Sequence, residues 1–341
     1  MVCAHPRQRR VRLVTVEDRM HTVLATAFAF VIAACSGFGS GNADEWPTRP
    51  IRAIVPLSAG SAADVVPRIV FEQVSTQLGR PIVVENRPGA SGTIGARAVA
   101  TASPDGYTLL AHSSAHVIAP STVANLPYDP IKDFAAIAPL VNLPIVLVIA
   151  PSKNIKTVQE LVALGRTQPI TFGSIGIGSP TYLAMERLRL SAGFKAEVIT
   201  FKGAPEAMTE VMAGRIDVYY APVAAALSLL ESGKVLPLVV SSPTRAPLLL
   251  NVPTTLESGY PNSAYRFWLG VFAPAKTPSD IVNRLNTEIE KALQTPAVRA
   301  KLAMLGVQPM EMSAEEFDKF VKEELATNTA LAKDAGITTQ H

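Results

Sequence analysis

Residues 170–191 read ITFGSIGIGSPTYLAMERLRLS, and the order of residue types in this stretch decides the fold. Ile170 to Phe172 is a β-forming run, Gly173 to Gly178 is small and turn-rich, and Thr181 to Ser191 carries helical spacing. Ser179 is a natural N-cap, and Pro180 fills the first helical position, where a missing N–H costs nothing. The unit is strand, glycine loop, helix. Gly173, Gly176 and Gly178 spell G-x-x-G-x-G, the reverse of the dinucleotide fingerprint, and no lysine follows them as a Walker loop requires. Such a loop either serves as a plain turn and cap or offers unpaired N–H groups to an anion.

The same grammar repeats on both sides. Upstream, Ile51 to Val55 predicts a strand, Ala62 to Leu78 a helix closed by Gly79, Ile82 to Val84 a strand, Thr93 to Ala102 a helix and Tyr107 to Ala111 a strand. Around the opening stretch come helix Val158 to Arg166, strand Glu197 to Thr200, helix Pro205 to Ala213, strand Asp217 to Tyr220, helix Val223 to Ser232 and strand Leu236 to Ser241. This alternation predicts an α/β architecture with helices on both faces of each sheet. Phe134 to Ala150 is apolar but broken by Pro139, Asn142 and Pro144, which suits buried strands better than a membrane span.

Ser279 to Gln294, Pro296 to Leu305 and Ala314 to Asp334 are helical segments whose apolar faces need a sheet to cover, and the first half lacks helices on one face. The chain is therefore expected to cross from a first domain to a second near Val141 to Ala150 and to return near Arg266 to Ala273. The first domain then comprises 44–146 and 268–341, and the second 147–267. A cleft between them, at the carboxyl ends of the strands, is the expected ligand site.

Arg7, Arg9, Arg10, Arg12 and Arg19 precede an uncharged run, Thr22 to Ala34, that is too short to span a bilayer comfortably. Residues 1–43 read as a secretory signal peptide, with a cut after Ala43 preferred to a lipoprotein cut before Cys35, and a periplasmic location follows. Met20 is an alternative start. Cys3 and Cys35 are the only cysteines, so the mature chain has neither disulfides nor cysteine-ligated metal. The segment before Asp44 carries five arginines against Glu17 and Asp18, and its removal leaves a balanced chain with no footprint for nucleic acid or an anionic membrane.

Two more loops precede helices. VPLSAGSAAD, residues 55–64, sets Ser61 as N-cap with Asp64 three residues on, a capping-box arrangement. NRPGASGTIGA, residues 86–96, turns on Gly89, Gly92 and Gly95. Three or four charge-assisted hydrogen bonds of about 1.5–3 kcal/mol supply most of the roughly 8 kcal/mol of micromolar binding, so no arginine is needed. No G-x-S-x-G elbow or nucleophile set is present, so no enzyme class, metal or cofactor is indicated. His112 and His116 suit a metal only on a helix with a third ligand, and AHSSAH after a strand reads as a loop with satisfied or cleft-lining histidines.

Five segments in order resemble one family: WPTRPIRAIVP followed by GSAAD, VVENRPGASGTIGARAVATASPDGYTLL, FGSIGIGSPTYLA, FKGAPEAMTEVMAGRID and APAKTPSDIVNRLN. The chain resembles the periplasmic substrate-binding proteins of tripartite tricarboxylate transporters, the Bug or TctC-like group, over nearly all of its mature length. The resemblance implies a type II periplasmic-binding (Venus flytrap) fold with a mixed sheet in each domain and a two-crossing hinge. It implies a monomer that holds a small carboxylate and passes it to membrane permease subunits, or to the ectodomain of a membrane sensor. Carried over, the ligand-binding positions are Ser58, Ala59, Gly60, Ser61 and Ala62, then Ser113, Ser114 and His116, then Ser174, Gly176, Ile177, Gly178 and Ser179, and finally Asp217. Ser61 stands where glycine is frequent, Pro67 where alanine is, and Tyr182 where histidine is. Pro67 predicts a kink or a short first helical segment. Tyr182, Tyr219, Tyr220 and Trp268 either narrow the cleft or pack against the sheets.

Overall fold

Among the described residues, eleven strands fall into two mixed sheets, and the chain passes between the sheets twice. The structure is a computed structural model that describes residues 1–2, 46–89 and 92–339. The chain divides into Met1–Thr48 and Arg49–His341, and both sheets lie in the second unit. The signal-peptide reading with its cuts at Ala43 and Cys35, and Ala90 and Ser91 of the second loop, lie outside the described residues.

In chain order the strands are β1 (Ile51–Val55), β2 (Ile82–Asn86), β3 (Thr108–Ser113), β4 (Phe134–Asn142), β5 (Ile145–Ile149), β6 (Ile170–Ser174), β7 (Ala196–Thr200), β8 (Val218–Pro222), β9 (Leu236–Val240), β10 (Trp268–Pro274) and β11 (Gln308–Pro309). The helices are α1 (Ala62–Leu78), α2 (Thr93–Ala100), α3 (Ala115–Thr122), α4 (Val158–Thr167), α5 (Pro180–Ala192), α6 (Ala204–Met212), α7 (Val223–Glu231), α8 (Ser279–Gln294), α9 (Pro296–Met304) and α10 (Ala314–Asp334). The first sheet runs β11-β4-β10-β3-β1-β2 and the second β7-β6-β8-β5-β9.

In each sheet the strand that enters from the other sheet runs antiparallel to both of its neighbours. β10 is antiparallel to β3 and β4, and β5 is antiparallel to β8 and β9. The parallel pairs, β1 with β2 and β3 and β6 with β7 and β8, have helical connections between their strands, as parallel pairing requires. β4 ends at Asn142 and β5 begins at Ile145, and the Leu143 N–H donates to the Phe267 carbonyl at 2.6 Å, so the two crossings lie side by side.

The apolar run through β4 and β5 forms strands, as its sequence predicts. β5 is buried on both faces: Ile145, Leu147 and Ile149 join a core with Phe172, Leu183 and Tyr220, while Val146 and Val148 join another with Ala207, Val211 and Tyr219. The first sheet's core gathers Ile54, Leu110, Trp268, Phe272 and Phe317. α8 and α10 pack on β4, so the C-terminal helices cover the first sheet. Two helices serve both sheets. In α3, Val117 belongs to the first core and Ile118 to the second, and in α10 Phe317 belongs to the first and Leu331 to the second.

Two expectations are corrected. AHSSAH is not a loop, because β3 continues to Ser113 and α3 starts at Ala115. Val117 and Ile118, adjacent on one turn, each find a core, and that burial outweighs the weak helical signal of a segment containing Pro120. Pro67 does not divide α1, which runs unbroken for 17 residues. As its sixth residue, Pro67 forgoes only the bond to the Ala63 carbonyl, and its buried ring faces the core.

Candidate functional site

Parallel neighbours deliver their loops to the same edge. β3, β1 and β2 lie side by side, so the loop after β1, the loop after β2 and the β3–α3 junction share the carboxyl end of the first sheet. Gly95 lies so close to the end of β1 that a Cβ there would meet Pro56 at 2.7 Å and the Arg87 carbonyl at 3.0 Å. Gly92, at φ +91°, faces the His112 ring. Gly92 and Gly95 thus lie against the ends of β1 and β3.

Ser58, Ala59, Gly60 and Ala62 are exposed in the first loop, and Ser61 is half-buried. The loop is held by a carboxylate beneath it. Asp64 is buried, and its Oδ2 accepts from the Gly60 N–H at 2.9 Å while its Oδ1 accepts from Arg68 Nε and Asn86 Nδ2, both at 2.9 Å. Burial works to raise the Asp64 pKa, but the Gly60, Asn86 and Arg68 donors outweigh it and hold the carboxyl below its ordinary value. The expected capping box is therefore replaced: Asp64 takes the N–H of Gly60 instead of that of Ser61, and Ser61 Oγ donates to the Ser58 carbonyl at 2.8 Å. The N–H groups of Ala62 and Ala63 have no acceptor among the described residues.

The third loop follows β6. Ser174 is fully buried, and its Oγ both donates to the Gly176 carbonyl (2.9 Å) and accepts from the Gly176 N–H (3.1 Å), closing a tight turn. Gly176 and Gly178 adopt φ +138° and +86°, which a side chain would resist. Ser179 caps α5 as its sequence predicts, accepting from the Tyr182 N–H at 3.3 Å. The N–H groups of Ile177, Gly178 and Thr181 have no acceptor among the described residues. The first glycine of the motif does other work. Gly173 is a strand residue, and the space a Cβ would need is occupied by Ile216 and by the ring of Tyr219.

The third loop meets the first sheet through α3. A Cβ on Gly178 would overlap the side chain of Thr122, the last residue of α3. Since α3 begins at the carboxyl end of β3 and ends against Gly178, it connects the loop edge of one sheet to that of the other. Thr122 was not among the residues singled out by sequence, because α3 itself was not read.

The remaining sequence-derived positions behave differently. Ser113 and Ser114 are buried at the β3–α3 junction, where Ser113 Oγ accepts from the Ala115 N–H (3.3 Å) and Ser114 Oγ lies 3.3 Å from Tyr265 Oη. His116 points into an aromatic cluster of Tyr128, Phe134 and Phe272, with Nε2 3.2 Å from the Pro130 carbonyl. Burial lowers its pKa to about 4, so it is a neutral core histidine. His112 is likewise buried, its Nδ1 accepting from the Ser113 N–H at 2.8 Å, and burial followed by the neighbouring His116 pushes it well below its ordinary value. No group of three or more His, Cys, Asp or Glu among the described residues is arranged to hold a metal.

Asp217 lies at the end of the second sheet away from the third loop. It precedes β8, beside Thr171 near the start of β6, whereas the third loop leaves the far end of β6. Its carboxylate is occupied by Lys153 Nζ (2.7 Å), the Thr171 N–H (2.8 Å) and Thr171 Oγ1 (2.7 Å). Tyr182, Tyr219, Tyr220 and Trp268 are all buried, which favours the packing reading of each.

Comparison with known proteins matches residues 66–337 to the tripartite tricarboxylate transporter family receptor, TctC. The chain belongs to this family. Among solved structures, the periplasmic binding protein BugD is 31% identical with a TM-score of 0.73, covering 86% of this chain and 100% of that one. R. palustris Rpa4515 with adipate is 30% identical with a TM-score of 0.76, covering 87% and 100%. MatC (Rpa3494) from Rhodopseudomonas palustris with bound malate is 29% identical with a TM-score of 0.71, covering 84% and 100%. The mixed two-sheet α/β fold of this chain is that of the family's solute-binding proteins.

Proposed function

We propose that this TctC-family protein is a secreted, non-catalytic solute-binding protein that takes one small carboxylic acid between its two sheets and delivers it to the permease subunits of a tripartite transporter. The observation that carries this reading is the third loop: unpaired N–H groups of Ile177, Gly178 and Thr181 at the amino end of the 13-residue α5, on a turn pinned by buried Ser174. Free donors and the helix dipole together favour an anion there. The unpaired Ala62 and Ala63 N–H groups offer the same at α1.

On this reading the ligand contacts come from Ser58 to Ala62, Ser174 and Gly176 to Ser179, with Ser113 and Ser114 supporting from behind and Asp217 and His116 serving the scaffold. The halves 44–146 with 268–341, and 147–267, act as two domains about the paired crossings. The adipate and malate held by the two related structures bring the ligand class, and the arginine-rich leader together with the periplasmic relative brings the location. A thermal-shift screen of the mature chain against mono-, di- and tricarboxylates, aromatic acids and amino acids tests the reading. Stabilisation by at least one acid is expected; no shift with any of them overturns it.

A further inference from the structure

The C-terminal helix carries one stripe of residues from the first core to the second, and the stripe is interrupted once. Phe317, Val321, Glu324, Asn328 and Leu331 follow one another by three or four positions, so they share a face of α10. Phe317 and Val321 belong to the first core and Leu331 to the second, with Ile337 packed against that core just beyond the helix. Between these anchors the face turns polar.

Glu324 and Asn328 occupy the break, and the groups around them come from both halves. Trp268, at the start of β10, donates through Nε1 to Glu324 Oε2 at 3.3 Å. Arg187, on α5, donates to Asn328 Oδ1 at 3.4 Å and to the Ala264 carbonyl at 2.6 Å, and its guanidinium lies 5.4 Å from the centre of the Tyr265 ring. Arg266, on the return crossing, lies over Phe320 at 5.4 Å. Burial raises the Glu324 pKa, while Arg187, Trp268, Arg266 and Asn328 all favour its charged form. The carboxylate thus faces two arginines, and one of them sits on the helix whose amino end carries the third loop's donors.

Two apolar anchors with a polar break between them make a flexure. Bending there rehydrates Glu324 and Asn328 at little cost and leaves Phe317, Val321 and Leu331 docked, so the halves can swing without opening either core.

We propose that this part of α10 is a latch on the hinge, in which Glu324 attracts Arg187 of α5 across the crossings and holds the two halves at one angle. The inference rests on the two-domain reading, 44–146 with 268–341 against 147–267, and is independent of the acid the cleft takes.

Pulsed electron paramagnetic resonance tests the latch without any ligand. Cys3 and Cys35 both precede the expected leader cut, so spin labels at Thr76→Cys in α1 and Thr209→Cys in α6, two exposed positions, report one distance between the halves. The mature protein is expected to give a narrow distribution. Glu324→Gln, which keeps the shape and an oxygen for Trp268 but drops the charge, is expected to broaden it at least about twofold. Arg187→Gln is expected to broaden it as much and the double variant no further, because the two charges act as one pair. Glu323→Gln, at the exposed neighbouring position, is expected to change nothing. A broad distribution in the unsubstituted protein, an unchanged width in Glu324→Gln, or additive broadening in the double variant overturns the inference. Thermal melting of each sample shows whether it is folded, and should Glu324→Gln not fold, an unchanged width in Arg187→Gln overturns the inference equally. The thermal-shift screen decides the carboxylate reading separately.

Discussion

Gly178, in the loop after β6 of the second sheet, lies directly against Thr122, the last residue of a helix that grows out of the first sheet, with no room between them for a Cβ. The two halves of the proposed trap thus touch at a residue that lacks a side chain and adopts φ +86°.

Gly178→Ala is therefore expected to weaken ligand binding at least about tenfold, combining roughly 1–3 kcal/mol of backbone strain with the collision at Thr122. Thr122→Ala in the same chain relieves the collision and not the strain, so it is expected to restore part of the affinity. A double-mutant cycle by calorimetry measures the coupling, and additive losses would show that the contact does not matter to binding.

Ser174→Ala removes the oxygen that both accepts from and donates to Gly176. The expected outcome is a drop of about tenfold in affinity with a folded protein, since loss of a buried hydrogen bond costs about 1–3 kcal/mol and the damage is confined to one turn. Titration and thermal melting of the same sample separate the two effects.

Asp217→Ala is the converse case. Its carboxylate joins Lys153 and Thr171 at the opposite end of β6, where burial alone would raise its pKa but these partners bring it below the ordinary value. Stability is expected to fall by about 1–3 kcal/mol in urea unfolding while ligand affinity stays within about twofold of wild type.

What the sequence made legible follows from which interactions are local. Ala62 to Leu78 closed by Gly79, Ser279 to Gln294 and Ala314 to Asp334 adopt the bounds the sequence predicts, because each carries its own 3.6-residue apolar stripe and Gly79 stops the first. α3 was not legible. Its warrant is that Val117 and Ile118 insert into two different cores, and nothing within AHVIAPST announces either. The hydrogen-bonding partner of Asp64 was equally hidden, since Arg68 is local but Asn86 arrives from β2. Asp217 was assigned by resemblance, and only the register of β6 beside β8 reveals which end of the sheet it occupies. The glycine spacing of the third loop was legible, although Gly173 proved to serve Tyr219 rather than the turn.

Acid sensitivity provides a test of the core reading of His116. Its pKa in the fold, about 4, lies below the unfolded value near 6.5, so the unfolded chain binds the extra proton first. Stability is full above about pH 6.5 and is lost as pH falls toward 4, by up to about 3 kcal/mol from this residue. His112, lowered in the same direction, adds to the loss. His116→Phe keeps an aromatic ring beside Tyr128, Phe134 and Phe272 and removes the titration. Urea unfolding from pH 7 to 4 is expected to show a shallower acid limb in the variant, and an unchanged limb would mean that His116 is not neutral in the fold.

The proposed hold of backbone amides at the start of α5 on a carboxylate carries the functional reading. It is tested most directly by calorimetric titration of the mature protein with the acid that stabilises it and with that acid's primary amide. One site per chain and a loss of at least about a hundredfold on replacing the carboxylate are expected, because the free N–H groups and helix dipole favour charge. Equal affinity for acid and amide would contradict it.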